Sequence, residues 1–328
     1  MFHKNKIMIG LFLASVLVIV GNILLNNNSR IGMKTNPQIP TMAHVSQQSN
    51  WQSIEKVIGK GGEIKTGKVY YISLPRTDLE VKINDTPLHP SFALGSWLAF
   101  KEVHDGGMVM GDLVLTEDEV NPVMNELINN GIEVTALHNH LLGESPRIMY
   151  MHIQGHGEIV GLAKKLHSAL IKSNTPLKDS PAPSTGKFEL EKEQLDNIFG
   201  KKGIVSNGIY KISFPRVEDI TDQGMIIPPS MGIATAINFQ PTDKRKAAIT
   251  GDFVLTAKEV NSVIRTLRKH NIQVTALHNH MLYEQPRLFF LHFWANDDAI
   301  KLAKGLREAI ENTNSIKTGS TLLILPKT

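Results

Sequence analysis

A stretch of 60 residues occurs twice in this chain of 328 residues, and that duplication constrains the fold more than any other feature. GDLVLTEDEVNPVMNELINNGIEVTALHNHLLGESPR begins at Gly111, and GDFVLTAKEVNSVIRTLRKHNIQVTALHNHMLYEQPR begins at Gly251, an offset of 140 residues. The alignment runs without a gap to Leu170 and Ile310 and holds 28 identities in 60 positions. Upstream, VYYISLPR ending at Arg76 answers IYKISFPR ending at Arg216, with one indel before Asp112 and Asp252. A long unit repeated once means tandem domains and not a solenoid. The repeats are expected over 51–173 and 190–313, with a linker at 174–189 and a tail at 314–328. The intervening SNTPLKDSPAPSTGK is rich in Pro, Ser and Thr, as a linker should be.

Each unit reads in the same order. A short helix near Trp51–Ile58 (Lys192–Phe199 in the second copy) precedes a strand ending in Pro-Arg. Further strands are expected around Val81–Ile83 and Phe92–Phe100. Then come strand Asp112–Leu115, helix Glu117–Asn130, strand Ile132–His140, strand Arg147–Ile153 and helix Glu158–Ile171. Thr116 with Glu119, and Thr256 with Glu259, have the spacing of a capping box, which satisfies orphan donors at a helix start. Val120, Met124, Leu127 and Ile128 fall at helical spacing, and Gly131 marks the stop. The expected fold class is α+β: in each repeat a mostly antiparallel sheet with helices packed on one face. Such a unit leaves sheet surface uncovered, so the repeats are expected to pack about a pseudo-twofold axis.

The motif HNH…E.PR…H carries the chemistry. Alternate residues of a strand share a face, so His138 and His140 project together, and Glu144 in the following loop can fold back toward them. With His152 they offer imidazole and carboxylate donors suited to a divalent transition metal such as Zn, Mn, Fe or Ni. His278, His280, Glu284 and His292 repeat the set, whereas His156 and His167 become Asn296 and Arg307. Arg147 and Arg287 are candidates for binding an anion or ligand. Two other readings use the same residues: a hydrogen-bonded network with Glu144 and Arg147 paired, or a ligand or catalytic site without metal. The face of His138 and His140 is read as continuing the apolar stripe of Ile132, Val134 and Ala136, and hairpin register decides whether His152 joins it. Asp112 and Asp252 read as turn residues or as carboxylates behind the ligands, and Arg76 and Arg216 as surface charges or an anion site. No catalytic residue can be assigned, because nucleophile elbow, phosphate loop and dinucleotide fingerprint are all missing.

The first 25 residues differ from the rest. Lys4 and Lys6 precede an apolar run from Ile7 to Leu25, long enough to span a bilayer with the N-terminus inside. Gly21–Leu25 offers no good cleavage site, so an uncleaved signal anchor is expected, with secretion as the alternative if cleavage occurs. Residues 26–50, rich in Asn, Ser, Gln and Pro, read as a flexible tether. The expected location is the extracytoplasmic face of the cell membrane. Cysteine is absent, which excludes disulfides, thiolate chemistry and lipoprotein acylation. A net charge of +4 with dispersed basic residues gives no case for nucleic acid, and nothing points to an organic cofactor. A small molecule, a glycan or a protein remains as the class of partner.

The spacing H-x-H-x3-E resembles the first metal motif of cupins, but helix patterns flank it here where cupins are all-β. The letters HNH lack the spacing of the nuclease finger. The doubled GDxVLTxxEVN…VTALHNHxLxExPR…H pattern resembles an uncharacterised bacterial family of envelope proteins, a domain of unknown function that includes mycobacterial lipoproteins of the Lpp/Lpq type. The resemblance covers both repeats and implies export. This chain departs from the lipoprotein members in lacking the acylated Cys. Cell fractionation checks the anchor: the full chain should sediment with membranes, deletion of residues 1–25 should leave it in the cytoplasm, and protease added to protoplasts should digest residues 51–328.

Overall fold

The computed structural model describes residues 47–104, 106–178 and 188–317. The expected membrane segment 7–25, the tether to residue 46, residues 179–187 of the linker and residues 318–328 of the tail lie outside them. Among the described residues no helix is long and apolar enough to cross a membrane.

Repeat 1 runs α1 (Gln47–Ile58), β1 (Glu63–Lys65), β2 (Val69–Pro75), β3 (Lys82–Ile83), β4 (Thr86–Pro87), α2 (Pro90–Ala93), β5 (Gly95–Val103) and β6 (Gly106–Thr116). It continues with α3 (Glu117–Asn129), β7 (Glu133–His138), β8 (Glu144–Ser145), β9 (Ile148–Gly157) and α4 (Ile159–Leu170). Its main sheet has the order β1-β2-β5-β6-β9-β7, and the short β4-β3-β8 ladder stands apart. Repeat 2 has α5 (Lys192–Phe199), β10 (Ile204–Ser206), β11 (Ile209–Pro215), the hairpin β12 (Thr221–Asp222) and β13 (Met225–Ile226), β14 (Ala234–Pro241) and β15 (Lys246–Leu255). Then follow α6 (Ala257–Lys269), β16 (Gln273–His278), β17 (Phe289–Asp298) and α7 (Ala299–Glu311). Its sheet, β10-β11-β14-β15-β17-β16, reproduces the first strand for strand, and every ladder in both sheets is antiparallel. The chain is therefore two tandem α+β units.

Helices cover one face of each sheet. In repeat 1, Val123 and Leu127 of α3 and Leu162 and Leu166 of α4 pack on Leu113, Leu115, Met151 and Ile153. Repeat 2 builds the matching core from Val263, Leu267, Leu302 and Leu306 on Phe253, Leu255, Leu291 and Phe293. The opposite faces pack against each other. Met108 and Met110 meet Ile220, Met231 and Phe290 in one cluster, and Val114 and Tyr150 meet Ile209, Ala248 and Trp294 in another. The layers are helices, sheet, sheet, helices. A strand covered on both faces loses the alternation of a half-buried one. Every residue of β6 from Gly107 to Leu115 is buried, which explains why its first half gave no strand pattern.

Arg76 and Arg216 correct both sequence readings, since each is a buried clamp and neither a surface charge nor an anion site. Arg76 is fully buried, donates through Nη1 to Val114 O at 2.7 Å and grips Glu119 with Nη1 and Nη2 at 2.7 and 3.1 Å. Asp78 accepts from Nε and Nη2 at 2.9 and 2.8 Å. Glu119 closes the capping box at Thr116 N and also accepts from Asn174 N at 2.8 Å. One carboxylate thus ties strand β2, the start of α3 and the chain after α4 together. Arg216, Glu218, Glu259 and Asn314 repeat the arrangement. Removing one partner of a buried ion pair strands the other charge, so Arg76→Met should cost about 3–5 kcal/mol. Urea denaturation checks this, and Arg76→Met/Glu119→Gln should cost less than the single change, because Gln keeps the cap without a stranded charge.

Candidate metal centre

A single extra residue decides which way the motif faces. In the β7–β9 ladder Val134 pairs with Ile153 and Ala136 pairs with His152, so Thr135 is a β-bulge. Before the bulge, Ile132 and Val134 pack with the helix-side core. After it, Ala136 stands opposite His152 and His138 opposite Tyr150, on the face toward repeat 2. The expected continuation of the Ile132–Val134 stripe into the histidines is corrected: the bulge moves Ala136 and His138 to the other face. Register places His152 beside Asp112 on β6 as well, so it joins the set. Repeat 2 carries the same bulge between Val274 and Ala276.

Facing sheets bring the two motifs together. Ring centroids of His138 and His278 lie 3.4 Å apart, those of His140 and His292 3.7 Å, and those of His152 and His280 3.7 Å. Within each repeat the rings stand farther apart, at 5.0 Å for His138–His140 and 5.1 Å for His138–His152, and at 5.1 Å for His278–His280 and 4.9 Å for His278–His292. Tyr150 stacks on His140 and Phe290 on His280, each at 3.4 Å. The seam is reciprocal. Thr135 Oγ1 donates to His280 O and Thr275 Oγ1 to His140 O, both at 2.5 Å. Asn139 Nδ2 donates to Thr275 O at 3.1 Å and Asn279 Nδ2 to Thr135 O at 3.0 Å. Contacts exchanged in this way define the pseudo-twofold.

Backbone carbonyls orient the rings. Nδ1 of His138 lies 3.1 Å from Asn139 O, that of His278 2.9 Å from Asn279 O, and that of His292 2.9 Å from Gly251 O. His152 makes the matching bond to Gly111. A carbonyl only accepts, so Nδ1 carries the proton and Nε2 keeps its lone pair, the tautomer a metal-binding histidine needs. Gly251 is required by space: a Cβ there would lie 2.0 Å from Ala236 O. The Nε2 atoms of these six histidines, with Oδ1 of Asp112 and of Asp252, are buried and have no hydrogen-bond partner among the described residues. His140 and His152 Nε2 lie 3.8 and 3.9 Å from Asp112 Oδ2, and His280 Nε2 lies 3.4 Å from Asp252 Oδ2.

Among the described residues, three sets of donors have atoms within 4.8 Å of one another: His138, His140 and His152; Asp252, His280 and His292; and His138, His278 and His292. Burial and mutual repulsion keep the imidazoles neutral, with His138 pushed down to about 3 and His278, by burial, to about 4. His140, His152, His280 and His292 lie well below the usual histidine range for the same reason. Burial pushes the Asp112 carboxyl up to about 8 and raises that of Asp252 strongly.

Glu144 and Glu284 stand outside these sets. Glu144 accepts from Ile148 N at 3.4 Å and pairs through its backbone with Ile83 on β3. Glu284 accepts from Leu288 N at 3.0 Å and from Arg287 Nη1 at 3.1 Å with both oxygens. Both brace the loop between the motif strands, which also holds the cis peptides before Pro146 and Pro286. The Glu–Arg pair of the network reading forms in repeat 2, whereas the half-exposed Arg147 approaches Glu117 at 3.9 Å. Asp112 and Asp252 are the residues that sequence reasoning undervalued. They sit inside long strands and not at turns, opposite His152 and His292. The signal was present, since the Gly-Asp pair stands at the head of the duplicated stretch.

Among solved structures the chain shows similarity to PduB, a trimeric bacterial microcompartment shell protein, at 10% identity, a TM-score of 0.20, and coverage of 78% of this chain and 95% of that one. EtuB from Clostridium kluyveri gives 8%, 0.18, 76% and 88%, and an unknown protein from Galdieria sulphuraria gives 12%, 0.16, 62% and 90%. Likeness at such TM-scores carries no conclusion about fold or role. No curated protein matches the chain. The family described as Domain of Unknown Function (DUF1259) matches residues 52–172 and again residues 193–312, so this chain belongs to that family and carries its domain twice in tandem.

Proposed function

We propose that this protein is a membrane-tethered, extracytoplasmic metal-binding module whose repeats jointly build one imidazole-rich centre. Its donors are His138, His140, His152, His278, His280 and His292, with Asp112 and Asp252. One observation carries the reading: these side chains converge from two sheets and bury eight polar atoms without protein partners. Each such atom costs about 1–3 kcal/mol when left unsatisfied. Eight of them would together rival the whole stability of a domain, about 5–15 kcal/mol. Cations bound at these donor sets would give partners to most of the eight. Nitrogen donors without thiolate favour Zn, Fe, Ni or Mn over Mg or Ca. Two of the three donor sets share no residue, which allows two ions, and the third draws on both repeats. Each set supplies three protein ligands and leaves a position open, the arrangement that allows a bound water or a small ligand. The resemblance of the sequence to Lpp/Lpq-type lipoproteins and the apolar run 7–25 support the extracytoplasmic placement.

Elemental analysis of the purified full chain tests the centre. One or two equivalents of a transition metal are expected, and His138→Ala should lower the content of the whole centre, since His138 belongs to two of the three donor sets. Absence of metal, together with no thermal shift on adding Zn, Mn or Ni, would overturn the proposal in favour of a metal-free module binding a glycan, anion or protein.

Stripping the metal should expose a pH dependence whose sign follows from the shifts. The folded imidazoles resist protonation down to about 3 for His138 and about 4 for His278. The unfolded chain takes up those protons below its ordinary value of about 6.5. Stability is therefore full above about pH 6.5 and is lost as pH falls below it. Asp112 acts in the opposite sense, its contribution fading as pH rises toward 8. Histidines outnumber aspartates at the centre, so the acid slope wins. Thermal melts of the stripped protein should fall steeply from pH 6.5 to 5, and His138→Phe/His278→Phe should flatten the slope by about 2.7 kcal/mol per pH unit, two protons' worth. An unchanged slope would show that these rings titrate normally.

A further inference from the structure

Outside the histidine centre, the densest group of buried, unpartnered polar atoms lies one step along the same seam. Gln154 and His156 follow His152 at two-residue intervals on β9 and share its face toward repeat 2. Glu133 on β7 pairs directly opposite Gln154. From repeat 2, Asp222 on the β12–β13 hairpin is pressed against them, with the hairpin held to repeat 1 by Lys101 Nζ on Ile226 O at 3.1 Å. Asp222 is 0% exposed and Gln154 1%. The Gln154 amide lies beside the carboxylate, and among the described residues neither oxygen of Asp222 nor either polar atom of Gln154 has a hydrogen bond of good geometry. Among the described residues, the groups acting on the Asp222 charge are Gln154, His156 and Glu133, none of them a Lys or Arg.

The other half of the molecule shows what this seam looks like when it is only packed. The β3–β8 pairing of Lys82 with Ser145 is mirrored by the bridge of Thr221 to Gln285, so Ile83 is the counterpart of Asp222. Gln154 corresponds to Trp294, His156 to Asn296 and Glu133 to Gln273. Ile83 and Trp294 share one apolar cluster, with Trp294 edge-on to Phe92 at 6.2 Å. Where one half closes the seam with Ile and Trp, the other buries a carboxylate and an amide and sets a second carboxylate beside them. An uncompensated carboxylate in such a place is strongly disfavoured, and a cation is its natural partner.

We propose that Asp222, Gln154 and Glu133 form a second cation site, selective for an oxygen-preferring divalent ion of the Mg, Ca and Mn class, with His156 at its rim. Two carboxylates and an amide oxygen are hard donors that match such an ion in charge and type. Among the described residues the site occurs once, joining the hairpin of repeat 2 to the sheet of repeat 1, and it stands independently of the imidazole centre.

Calcium is the discriminating probe, because it does not compete for imidazole. Calorimetric titration of the full chain should show one Ca2+ bound, with a rise in the thermal midpoint as expected for a ligand selective for the native state. Asp222→Asn should weaken Ca2+ binding at least tenfold, whereas His138→Ala/His278→Ala should retain it. Asp222→Ile/Gln154→Trp transplants the apolar pair of the other half and should give a folded protein with no calcium response. Absence of Ca2+ binding by the wild type would overturn the proposal. So would binding undiminished in Asp222→Asn or in the Ile/Trp variant. Failure here leaves the transition-metal content of the histidine centre untouched.

Discussion

Two sheets pressed face to face have to bury whatever their inner surfaces carry, and here those surfaces carry imidazoles. A sheet with helices on one side has one face left to cover. Each repeat covers that face with its twin, through flanking apolar clusters that include Met108, Met110 and Phe290 on one side and Val114, Tyr150 and Trp294 on the other. These clusters exclude water from the centre between them. Exclusion is what keeps His138 and His278 neutral and the Asp112 carboxyl protonated while no cation is near. A cation would reverse that balance, drawing the carboxylates back to their charged form. The fold thus gathers a concentrated set of buried donors, and the apolar seam that pins the sheets together holds them in place.

Duplication and helices were readable from the chain because their signals are local. Capping boxes, helical spacing and the Pro/Ser-rich linker each depend on a few adjacent residues. What escaped depends on the partner sheet. Burial on both faces erased the alternation of β6, so Asp112 looked like a turn residue when it lies mid-strand. Thr135 gives no sign of being a bulge, yet it reverses the face of everything after it in β7. Arg76 follows a proline at a strand end and looked exposed, but its partner Glu119 lies 43 residues on, already enlisted as a helix cap. The histidines stand out in the duplicated motif, while their meeting across the pseudo-twofold needed the register of both sheets. Glu144 and Glu284 have the spacing of ligands and the structural task of bracing a loop.

Fusing two copies in one chain changes what each copy is free to become. Two identical subunits would keep both ends of the seam alike, because any substitution would appear twice. Within a tandem chain each half-seam varies alone, and the two have diverged: Ile83 faces Trp294 at one end, and Asp222 faces Gln154 at the other. The central contacts have not diverged, with Thr135, Asn139 and the three histidines matched residue for residue by Thr275, Asn279 and theirs. This contrast separates the parts of the interface that only need filling from the part that needs particular atoms.

The same logic bears on whether either repeat is a complete unit. Alone, repeat 1 would expose the face bearing Met108, Met110, Val114 and Tyr150, an apolar patch that a soluble monomer rarely leaves open. Its three histidines would lose the rings of His278, His280 and His292 that stack against them. The linker holds the second repeat at a high effective concentration, so the closed seam forms without the entropic cost of bringing two chains together. A cation bound at the proposed centre would add its free energy to that closure, because the donors converge only when the sheets are packed. In the proposed centre, metal affinity and the stability of the seam would be one quantity seen from two sides, and the folded unit is the pair.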